Sequence, residues 1–394
     1  MVQMIDINEL LKIAVRGRAS DVHIKSGMPP VFRVDGALVP LKDGQRTTSE
    51  DIEQVAMSLM NDEQKKHFKT NFEIDLSYGV TGVGRFRVSI FQQRGTVGIV
   101  FRVVPFKIFS IRELNLPPVL EKIALEQRGL ILVTGTTGSG KSTSLAAIID
   151  HINANRTSHI LTIEDPIEFL IRDRKSIVNQ REMGIDTRSF ANALRSSLRQ
   201  DPDVILVGEM RDKETIETVI MAAETGHLVL STVHTLDAKE SINRIISAFP
   251  AHQQKQIRIQ LASVLKAVVS QRLVPRADRK GRVCACEIMI STSRIRNLIL
   301  EENRTTEIYD AIAEGNISYG MQTFDQSLMQ LLQKKLITYE EALKQCTNPD
   351  DFALKVKGVS SSTDTSWDAF QEDPEEKKKE QGPLTLDDIK IDRF

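Results

Sequence analysis

The feature that most constrains the fold is a glycine-rich segment between an apolar run and an amphipathic one. Residues 130–133 have the length and composition of a buried strand, and residues 144–152 carry apolar side chains at helical spacing. Between them, residues 135–142 match the eight-position pattern G-x-x-x-x-G-K-[ST]. A strand, this loop and a helix in succession are typical of a phosphate-binding P-loop, so the segment predicts a nucleotide-binding α/β domain.

The residue types of this loop have distinct chemical roles. The glycines allow tight turns and let backbone N–H groups approach phosphate oxygens. Lys141 can reach the β- and γ-phosphates, Ser142 can ligate Mg²⁺, and the start of the helix adds a partial positive charge. The predicted cofactors are therefore ATP and Mg²⁺. The predicted binding residues are Gly135, Thr136, Thr137, Gly138, Ser139, Gly140, Lys141, Ser142 and Thr143.

Length and composition set broad limits. The chain has 394 residues, enough for about two or three domains, and its formal net charge is −1. This balance creates no overall field that would draw the chain onto nucleic acid, so no nucleic-acid partner is expected. Three cysteines fit a reduced, cytosolic compartment and are too few for a four-cysteine zinc module. We expect neither a signal peptide nor a membrane span.

Residues 1–110 have the pattern of a small α/β domain, followed by a linker at 111–118. Residues 84–91 and 96–104 predict two paired strands. Arg87 and Arg102 lie in these strands at positions that alternation places on one surface. They are interpreted either as part of a solvated basic face or as arginine fingers that stabilise γ-phosphate charge.

Residues 119–290 predict a core domain built on a parallel sheet, because apolar strands alternate there with helices. Ligands of such sheets bind at the carboxyl ends of the strands, so the residues that follow each strand are the candidates for catalysis. The strand candidates lie at 159–163, Val204–Val207 and Leu228–Val233, and the helical stretches lie at 189–199, 214–224 and 238–248.

Acidic and histidine side chains occupy these strand ends. Glu209 follows Val204–Val207, where a carboxylate can polarise the attacking water or hold Mg²⁺ through water. Glu164 follows the strand at 159–163 and is the second candidate for both roles. His234 follows Leu228–Val233 and is interpreted either as a sensor of the γ-phosphate or as a structural histidine, and His227 precedes the same strand.

The chain after residue 249 is predicted to be helical apart from one strand. Cys284 and Cys286 alternate within Arg282–Ile290, which places them on one face of that strand. Residues 291–359 are predicted as a C-terminal helical part, and the polar, charged stretch 360–394 as a disordered tail. One apolar stripe is predicted to run along a helix through Ile257, Leu261, Val264, Leu265 and Val268.

Four motifs together resemble the type IV pilus retraction ATPases, the PilT family of the type II/IV secretion ATPase superfamily. They are a Walker A motif at 135–143, an Asp box at 162–169, a Walker B motif at 198–212 and a His box at 224–235. The resemblance implies a PAS-like N-terminal domain and a RecA-like P-loop ATPase domain with C-terminal helices. It also implies a homo-hexamer that holds each nucleotide between subunits and hydrolyses ATP to drive pilus retraction and twitching motility.

The resemblance further implies residue roles and partners. Glu209 matches the catalytic glutamate of the family, and Glu164 matches the acid of the Asp box. His227 and His234 match the histidine pair of the His box. Arg87 and Arg102 match the arginines that the N-terminal domains supply to the nucleotide. The implied partners are the inner-membrane platform protein at the pilus base and a paralogous retraction ATPase. The implied location is cytoplasmic, at the inner-membrane face of the pilus machine.

Two stretches depart from the pattern of the primary retraction ATPases. Residues 294–301 keep most of a C-terminal motif of that group, with Arg294 and Leu300 changed, and residues 319–328 look more like PilU, the accessory retraction ATPase. An accessory subunit with low activity of its own is therefore the main alternative to a primary motor. A pilus-assembly or secretion ATPase is a weaker alternative, because such proteins usually carry a four-cysteine zinc module.

Overall fold

The computed structural model describes residues 6–34, 36–42, 44–104 and 107–358. The chain divides into two compact units, namely Met1–Ile108 with Ile167–Arg172, and Phe109–Pro166 with Asp173–Phe394. The short segment Ile167–Arg172 overlaps the predicted Asp box, and its grouping with the N-terminal unit is not visible in the sequence. The predicted domain limits stay predictions, and the predicted tail at 360–394 lies outside the described residues.

The N-terminal unit contains one antiparallel sheet. Its strands are β1 (Asp21–Lys25), β2 (Val31–Val34), β3 (Ala37–Pro40), β4 (Glu73–Val80), β5 (Gly84–Gln93) and β6 (Thr96–Val103). They lie in the spatial order β3-β2-β1-β6-β5-β4, and the predicted pairing of β5 with β6 is confirmed. Phe86, Val88 and Ile90 alternate along β5 and are buried, so this face of the sheet carries the core.

Three helices complete the N-terminal unit: α1 (Ile7–Arg16), α2 (Ser49–Leu59) and α3 (Asp62–Asn71). The first helix begins at Asp6, whose carboxylate accepts hydrogen bonds from the N–H groups of Asn8 and Glu9. Its buried positions recur at helical spacing, so one face packs into the core. Those buried residues are Ile7, Leu10, Leu11 and Ala14.

The second unit contains a seven-stranded sheet. Its strands are β7 (Gly129–Thr134), β8 (His159–Glu164), β9 (Ile177–Glu182), β10 (Val204–Val207), β11 (Leu228–Val233), β12 (Leu265–Pro275) and β13 (Arg282–Ile290). Their spatial order is β13-β12-β7-β11-β10-β8-β9, and all pairs are parallel except β12 with β13. The predicted α/β class and the parallel core are confirmed.

Helices of the second unit connect the parallel strands and then continue beyond them. The first group is α4 (Val119–Ala124), α5 (Lys141–Asn155), α6 (Phe190–Ser197), α7 (Lys213–Glu224), α8 (Ala238–Ser247) and α9 (Ala251–Val264). The second group is α10 (Ser293–Leu300), α11 (Ile308–Glu314), α12 (Asn316–Tyr319), α13 (Phe324–Gln333), α14 (Tyr339–Gln345) and α15 (Pro349–Val356). Among the described residues, no helix has both the length and the apolar character that crossing a membrane requires.

The structure corrects the predicted helical stripe after residue 249. Helix α9 ends at Val264, and Leu265 and Val268 belong to strand β12 instead. Both residues are buried beside β7, so the sheet takes up apolar positions that periodicity assigns to a helix. The prediction for the cysteines is confirmed, because Cys284 and Cys286 lie on one face of β13 with their Sγ atoms 3.5 Å apart.

Candidate active site

The P-loop follows the fully buried strand β7 and ends where helix α5 begins at Lys141. Its three glycines have positive φ angles, 143° at Gly135, 78° at Gly138 and 96° at Gly140. Side chains rarely adopt these angles, so the loop requires glycine at these positions. At Gly135 space is also limiting, because a Cβ atom there would lie 2.5 Å from Ser139 Oγ and 2.6 Å from the Gln271 carbonyl oxygen.

The ammonium of Lys141 points back over the loop. Its Nζ donates to the carbonyl oxygens of Gly135 and Thr136, at 2.8 and 2.9 Å. The residue is only 8% exposed, and this burial lowers its pKa, while the charge of Glu209 favours the protonated form. A buried cation whose hydrogen bonds go to neutral carbonyl groups is suited to a phosphate anion.

The loop and the first turn of α5 fit a phosphate group. The residue before helix α5, Gly140, provides no side-chain cap, and the first turn contains no acid, so the first N–H groups of the helix receive no capping side chain. The Ser139 hydroxyl is buried without a hydrogen-bond partner among the described residues. Thr136, Thr137, Gly138 and Ser142 are exposed, and Thr143 is half-buried. The loop can therefore receive a nucleotide phosphate without rearranging a cap.

Four neighbouring strands deliver the predicted site residues to one edge of the sheet. The P-loop follows β7, His234 follows β11, Glu209 follows β10 after one glycine, and Glu164 is the last residue of β8. These strands are adjacent and parallel in the order β7-β11-β10-β8, so their carboxyl ends lie side by side. The structure thus brings Lys141, His234, Glu209 and Glu164 to a common edge.

Glu209 is the best-anchored of these carboxylates. Its side chain is 13% exposed, forms an ion pair with Arg211, and has its Oε2 3.3 Å from His234 Nε2. The backbone around it is fixed, because Met210 N–H donates to the Thr232 carbonyl at 3.1 Å and the Thr232 hydroxyl donates to the Gly208 carbonyl at 2.7 Å. His234, with 46% of its side chain exposed, therefore contacts the predicted catalytic carboxylate directly.

Glu164 is oriented by two side chains of the same sheet. The Thr162 hydroxyl donates to Glu164 Oε1 at 2.7 Å, and Gln180 Nε2 donates to the same oxygen at 3.1 Å. Thr162 belongs to β8 and Gln180 to the edge strand β9, where the two residues are register partners. The carboxylate is thus held from its own strand and from the neighbouring one.

His227 lies at the opposite edge of the sheet. It precedes β11, whereas His234 follows it, and six strand residues at about 3.3 Å each separate the two ends by roughly 20 Å. Its Nδ1 lies 2.9 Å from the Ala222 carbonyl oxygen and 3.2 Å from the Thr225 hydroxyl. The structure therefore does not bring His227 to the P-loop of its own chain.

Arg87 and Arg102 belong to the N-terminal unit and are direct register partners across β5 and β6, on one face as expected. Arg87 Nη1 lies 3.1 Å from Glu168 Oε1, and Arg102 Nε lies 2.8 Å from Asp21 Oδ1. Burial alone would raise the pKa of Asp21, but hydrogen bonds from Arg102 and Ser20 hold it below its ordinary value. Their role as arginine fingers stays a prediction.

A cavity of about 370 Å³ adjoins the start of the P-loop. It opens beside Gly135 and Thr136, and its walls come from β12 and from the end of α14. Its position and size suit the remainder of a nucleotide whose phosphates occupy the loop. The lining residues are Gly135, Thr136, Leu236, Gln271, Arg272, Leu273, Lys344, Gln345 and Cys346.

Metal binding would depend on a bound nucleotide. Over the described part of the chain, no group of three or more His, Cys, Asp or Glu side chains could hold a metal ion by itself. Mg²⁺ commonly takes one or two protein ligands together with phosphate oxygens and water. Binding through Ser142, with Glu164 and Glu209 acting through water, fits that pattern and stays a prediction.

Sequence reasoning did not find the residues that support the site. Gln180 was missed because β9 is mostly polar and carries no strand signal. Gln271 was missed because the region of β12 was assigned to helix, although its polar side chain interrupts an apolar strand. It is 1% exposed, and its Nε2 donates to the Ser144 hydroxyl of α5 at 2.7 Å.

A family model and several known proteins match most of this chain. The sequence model of the family described as type II/IV secretion system protein matches residues 2–344. The type IV pilus retraction ATPase PilT of Pseudomonas aeruginosa is 47% identical over 352 residues, covering 88% of this chain and 100% of that protein. The type IV pilus ATPase PilU of the same organism is 42% identical and covers 91% of this chain and 93% of that protein.

A solved structure shows the same fold. The crystal structure of the pilus retraction motor PilT with bound ADP aligns with a TM-score of 0.80 at 47% identity, covering 88% of this chain and 98% of the crystallised one. The match extends over both described units. At 47% identity it indicates common ancestry as well as a similar fold. The chain therefore belongs to the type II/IV secretion system protein family and, within it, to the PilT family of pilus retraction ATPases.

Proposed function

We propose that this chain is a motor that hydrolyses ATP to drive type IV pilus retraction and twitching motility. The observation that carries the proposal is the meeting of the P-loop, Glu209 and His234 at one sheet edge, with Glu209 in contact with His234. The relationship to PilT, which covers nearly all of the described chain, supplies the link to pili.

Each residue has a defined task in the proposed reaction. The P-loop amides and Lys141 bind the phosphates, and Ser142 would hold Mg²⁺, which when bound neutralises phosphate charge. Glu209 accepts a hydrogen bond from the attacking water and orients it, and Glu164 supports that orientation. His234, anchored against Glu209, reports the presence of the γ-phosphate.

The assembly is part of the proposal. We infer a homo-hexamer in which Arg87 and Arg102 act on the nucleotide bound to a neighbouring subunit's P-loop, and His227 acts from its own sheet edge on an adjacent subunit. The N-terminal unit takes the role of a PAS-like domain. The partners are the inner-membrane platform protein at the pilus base and a paralogous retraction ATPase, so the protein works in the cytoplasm at the inner-membrane face of the machine.

The first test measures ATP turnover per chain as a function of protein concentration. A rate that rises as subunits associate supports sites completed between subunits. Glu209→Gln is expected to lower kcat by roughly 10²- to 10⁴-fold while ADP still binds, because general-base assistance is lost. Glu214→Gln is the matched control, since Glu214 pairs with Arg195 on the surface. Full turnover in Glu209→Gln would overturn the catalytic assignment.

An accessory role like that of PilU is the second candidate, because PilU is 42% identical and residues 319–328 look like it. Turnover distinguishes the two roles. A rate that stays negligible at every concentration favours the accessory subunit. A substantial rate, together with excess pili and lost twitching in a deletion strain, supports the primary motor.

A further inference from the structure

A row of buried polar side chains crosses three neighbouring strands next to the P-loop. Thr134 is the last residue of β7, Ser270 is its register partner on β12, and Glu287 is the partner of Ser270 on β13. Their exposed fractions are 0%, 0% and 3%. The Thr134 hydroxyl donates to Ser270 Oγ at 3.0 Å, and the Ser270 hydroxyl reaches Glu287 Oε1 at 3.5 Å.

The same carboxylate oxygen also holds the start of a helix. The N–H of Ala238, the first residue of α8, donates to Glu287 Oε1 at 2.8 Å. This N–H is one that the helix itself leaves without a partner, and a negative charge is favourable at that end of a helix. Only three residues separate Ala238 from His234, which contacts Glu209. Glu287 therefore joins the strand that leads into the P-loop to the connection that carries His234.

The position of Glu287 is costly for a charged group. Burial raises the pKa of Glu287 to about 7, and the Asp237 carboxylate adds to the shift, while the Ala238 N–H and Arg272 oppose it. A carboxyl buried against another carboxylate weakens the fold whenever it is ionised. Asp237 and Arg272 act directly on the charge of Glu287. Lys239, Tyr309 and Asp351 line the same cavity as Glu287, and Asp325 of α13 acts on Tyr309 together with Glu287.

We propose that Glu287 is a positioning residue of the nucleotide site. Its carboxylate ties the start of α8, and with it the connection 234–237, to the strand that ends at the P-loop. His234 is then held at a fixed position relative to the phosphate-binding loop. This position lets the site distinguish a nucleotide with a γ-phosphate from one without. Because it concerns the same site, the proposal rests on the proposed function.

The link should act through the charge of the carboxylate rather than through its shape. Glu287→Gln keeps the size of the side chain and an oxygen that can accept from Ala238 N–H. It removes the negative charge, and a hydrogen bond to a charged group is stronger than one to a neutral group by about 1 kcal/mol, or roughly fivefold in an equilibrium constant. The amide thus imitates the protonated carboxyl that prevails below pH 7.

The test measures the dissociation constants of ADP and of the nonhydrolysable analogue AMP-PNP, both with Mg²⁺, for the full-length protein at pH 8 and pH 6. In wild type we expect a preference for the triphosphate at pH 8 that falls about fivefold at pH 6, as Glu287 becomes protonated. In Glu287→Gln the preference should already be about fivefold lower at pH 8 and unchanged at pH 6, with ADP affinity within about twofold of wild type.

Two further variants complete the test. Ser270→Ala removes the hydroxyl between Thr134 and Glu287 while leaving the charge of Glu287 in place, so it should lower the triphosphate preference at pH 8 by about threefold. This variant tests the proposal even if Glu287→Gln fails to fold. Asp51→Asn in the N-terminal unit is the matched control, because Asp51 is also a buried carboxyl that accepts from a backbone N–H group, that of Thr48.

The outcomes separate this proposal from the proposed function. A wild-type preference retained in both Glu287→Gln and Ser270→Ala would overturn it, as would an equal loss in Asp51→Asn or a wild type with no preference at pH 8. Binding constants do not require hydrolysis. A wild type without ATP turnover would therefore refute the motor assignment while the role of Glu287 is still decided by the affinities.

Discussion

The stability of Glu287→Gln relative to that of wild type should increase as the pH rises. The pKa of Glu287 is raised from 4.5 to about 7 by burial, so the folded state holds a proton that the unfolded chain has released between these values. The contribution of Glu287 to wild-type stability therefore falls as the pH rises from 4.5 to 7. The side chain is 3% exposed, so solvent screening removes little of the effect.

The size of the change follows from the pKa difference. At 1.36 kcal/mol per unit, the complete shift corresponds to about 3 kcal/mol, of which roughly 2–3 kcal/mol falls between pH 5 and pH 8. For a domain of this size each kcal/mol moves the melting temperature by about 2–4 °C. The melting temperature of Glu287→Gln minus that of wild type should thus increase by about 5–10 °C between pH 5 and pH 8.

Thermal unfolding of both proteins without nucleotide, in buffers of equal ionic strength, provides the measurement. Melting temperatures of wild type and Glu287→Gln that change in parallel with pH would refute the reasoning, since Glu287 would then not titrate in this range. If Glu287→Gln is more stable than wild type at pH 8 yet discriminates poorly between the two nucleotides, Glu287 is a positioning residue. The loss of a structural residue would instead destabilise the fold.

Three other perturbations follow from the geometry. Gly135→Ala should lower the melting temperature by on the order of 10 °C and abolish ADP binding, because its Cβ would lie 2.6 Å from a backbone oxygen. The Cβ of Gly138→Ala meets no atom within 4 Å, so this variant should lower the melting temperature by only about 2–4 °C. Equal melting temperatures of the two variants would contradict this reasoning. Asp21→Asn should destabilise the protein to urea by about 1–2 kcal/mol at pH 7. Since the pKa of Asp21 is lowered from 3.8, that difference should be complete well above pH 3.8 and should shrink as the pH falls through the lower folded-state pKa. A difference that stays constant down to acid unfolding would exclude the ion pair as its source. Gln180→Ala should lower kcat about tenfold with KM nearly unchanged, because Glu164 loses a side-chain donor that helps to orient it. Gln180→Glu, which places a second carboxylate beside the first, should lower it further, and a rate equal to wild type in both variants would remove Gln180 from the site.

The sequence predicted the structure around the site correctly where the spacing of neighbouring residues and their chemistry point to the same fold. The P-loop could be predicted because strand, loop and helix are contiguous and each glycine answers a local backbone requirement. Glu209 and Glu164 could be placed at one edge because parallel strands bring their carboxyl ends together whatever lies between them. The placement of Arg87 and Arg102 on one surface followed from strand alternation, and the structure adds that they are register partners.

Pattern reasoning failed where strand pairing decides the outcome. The start of β12 has apolar residues that satisfy helical spacing through Leu265 and Val268, yet the chain is a strand there because β7 and β13 supply hydrogen bonds on both sides. By contrast, the placement of His227 before β11 and of His234 after it followed from the sequence, and the structure confirms that they lie at opposite ends of this strand.

The sequence by itself predicted a nucleotide-binding P-loop on a parallel sheet, and it named Glu209 as the candidate catalytic carboxylate. Only the tertiary structure decided which side chains orient that site. Gln180 reaches Glu164 from a strand 16 residues further along the chain, and Glu287 reaches Ser270 across 17 residues and Ala238 across 49. Such contacts depend on register between strands, which is set by the packing of the whole sheet and leaves no local periodic signal.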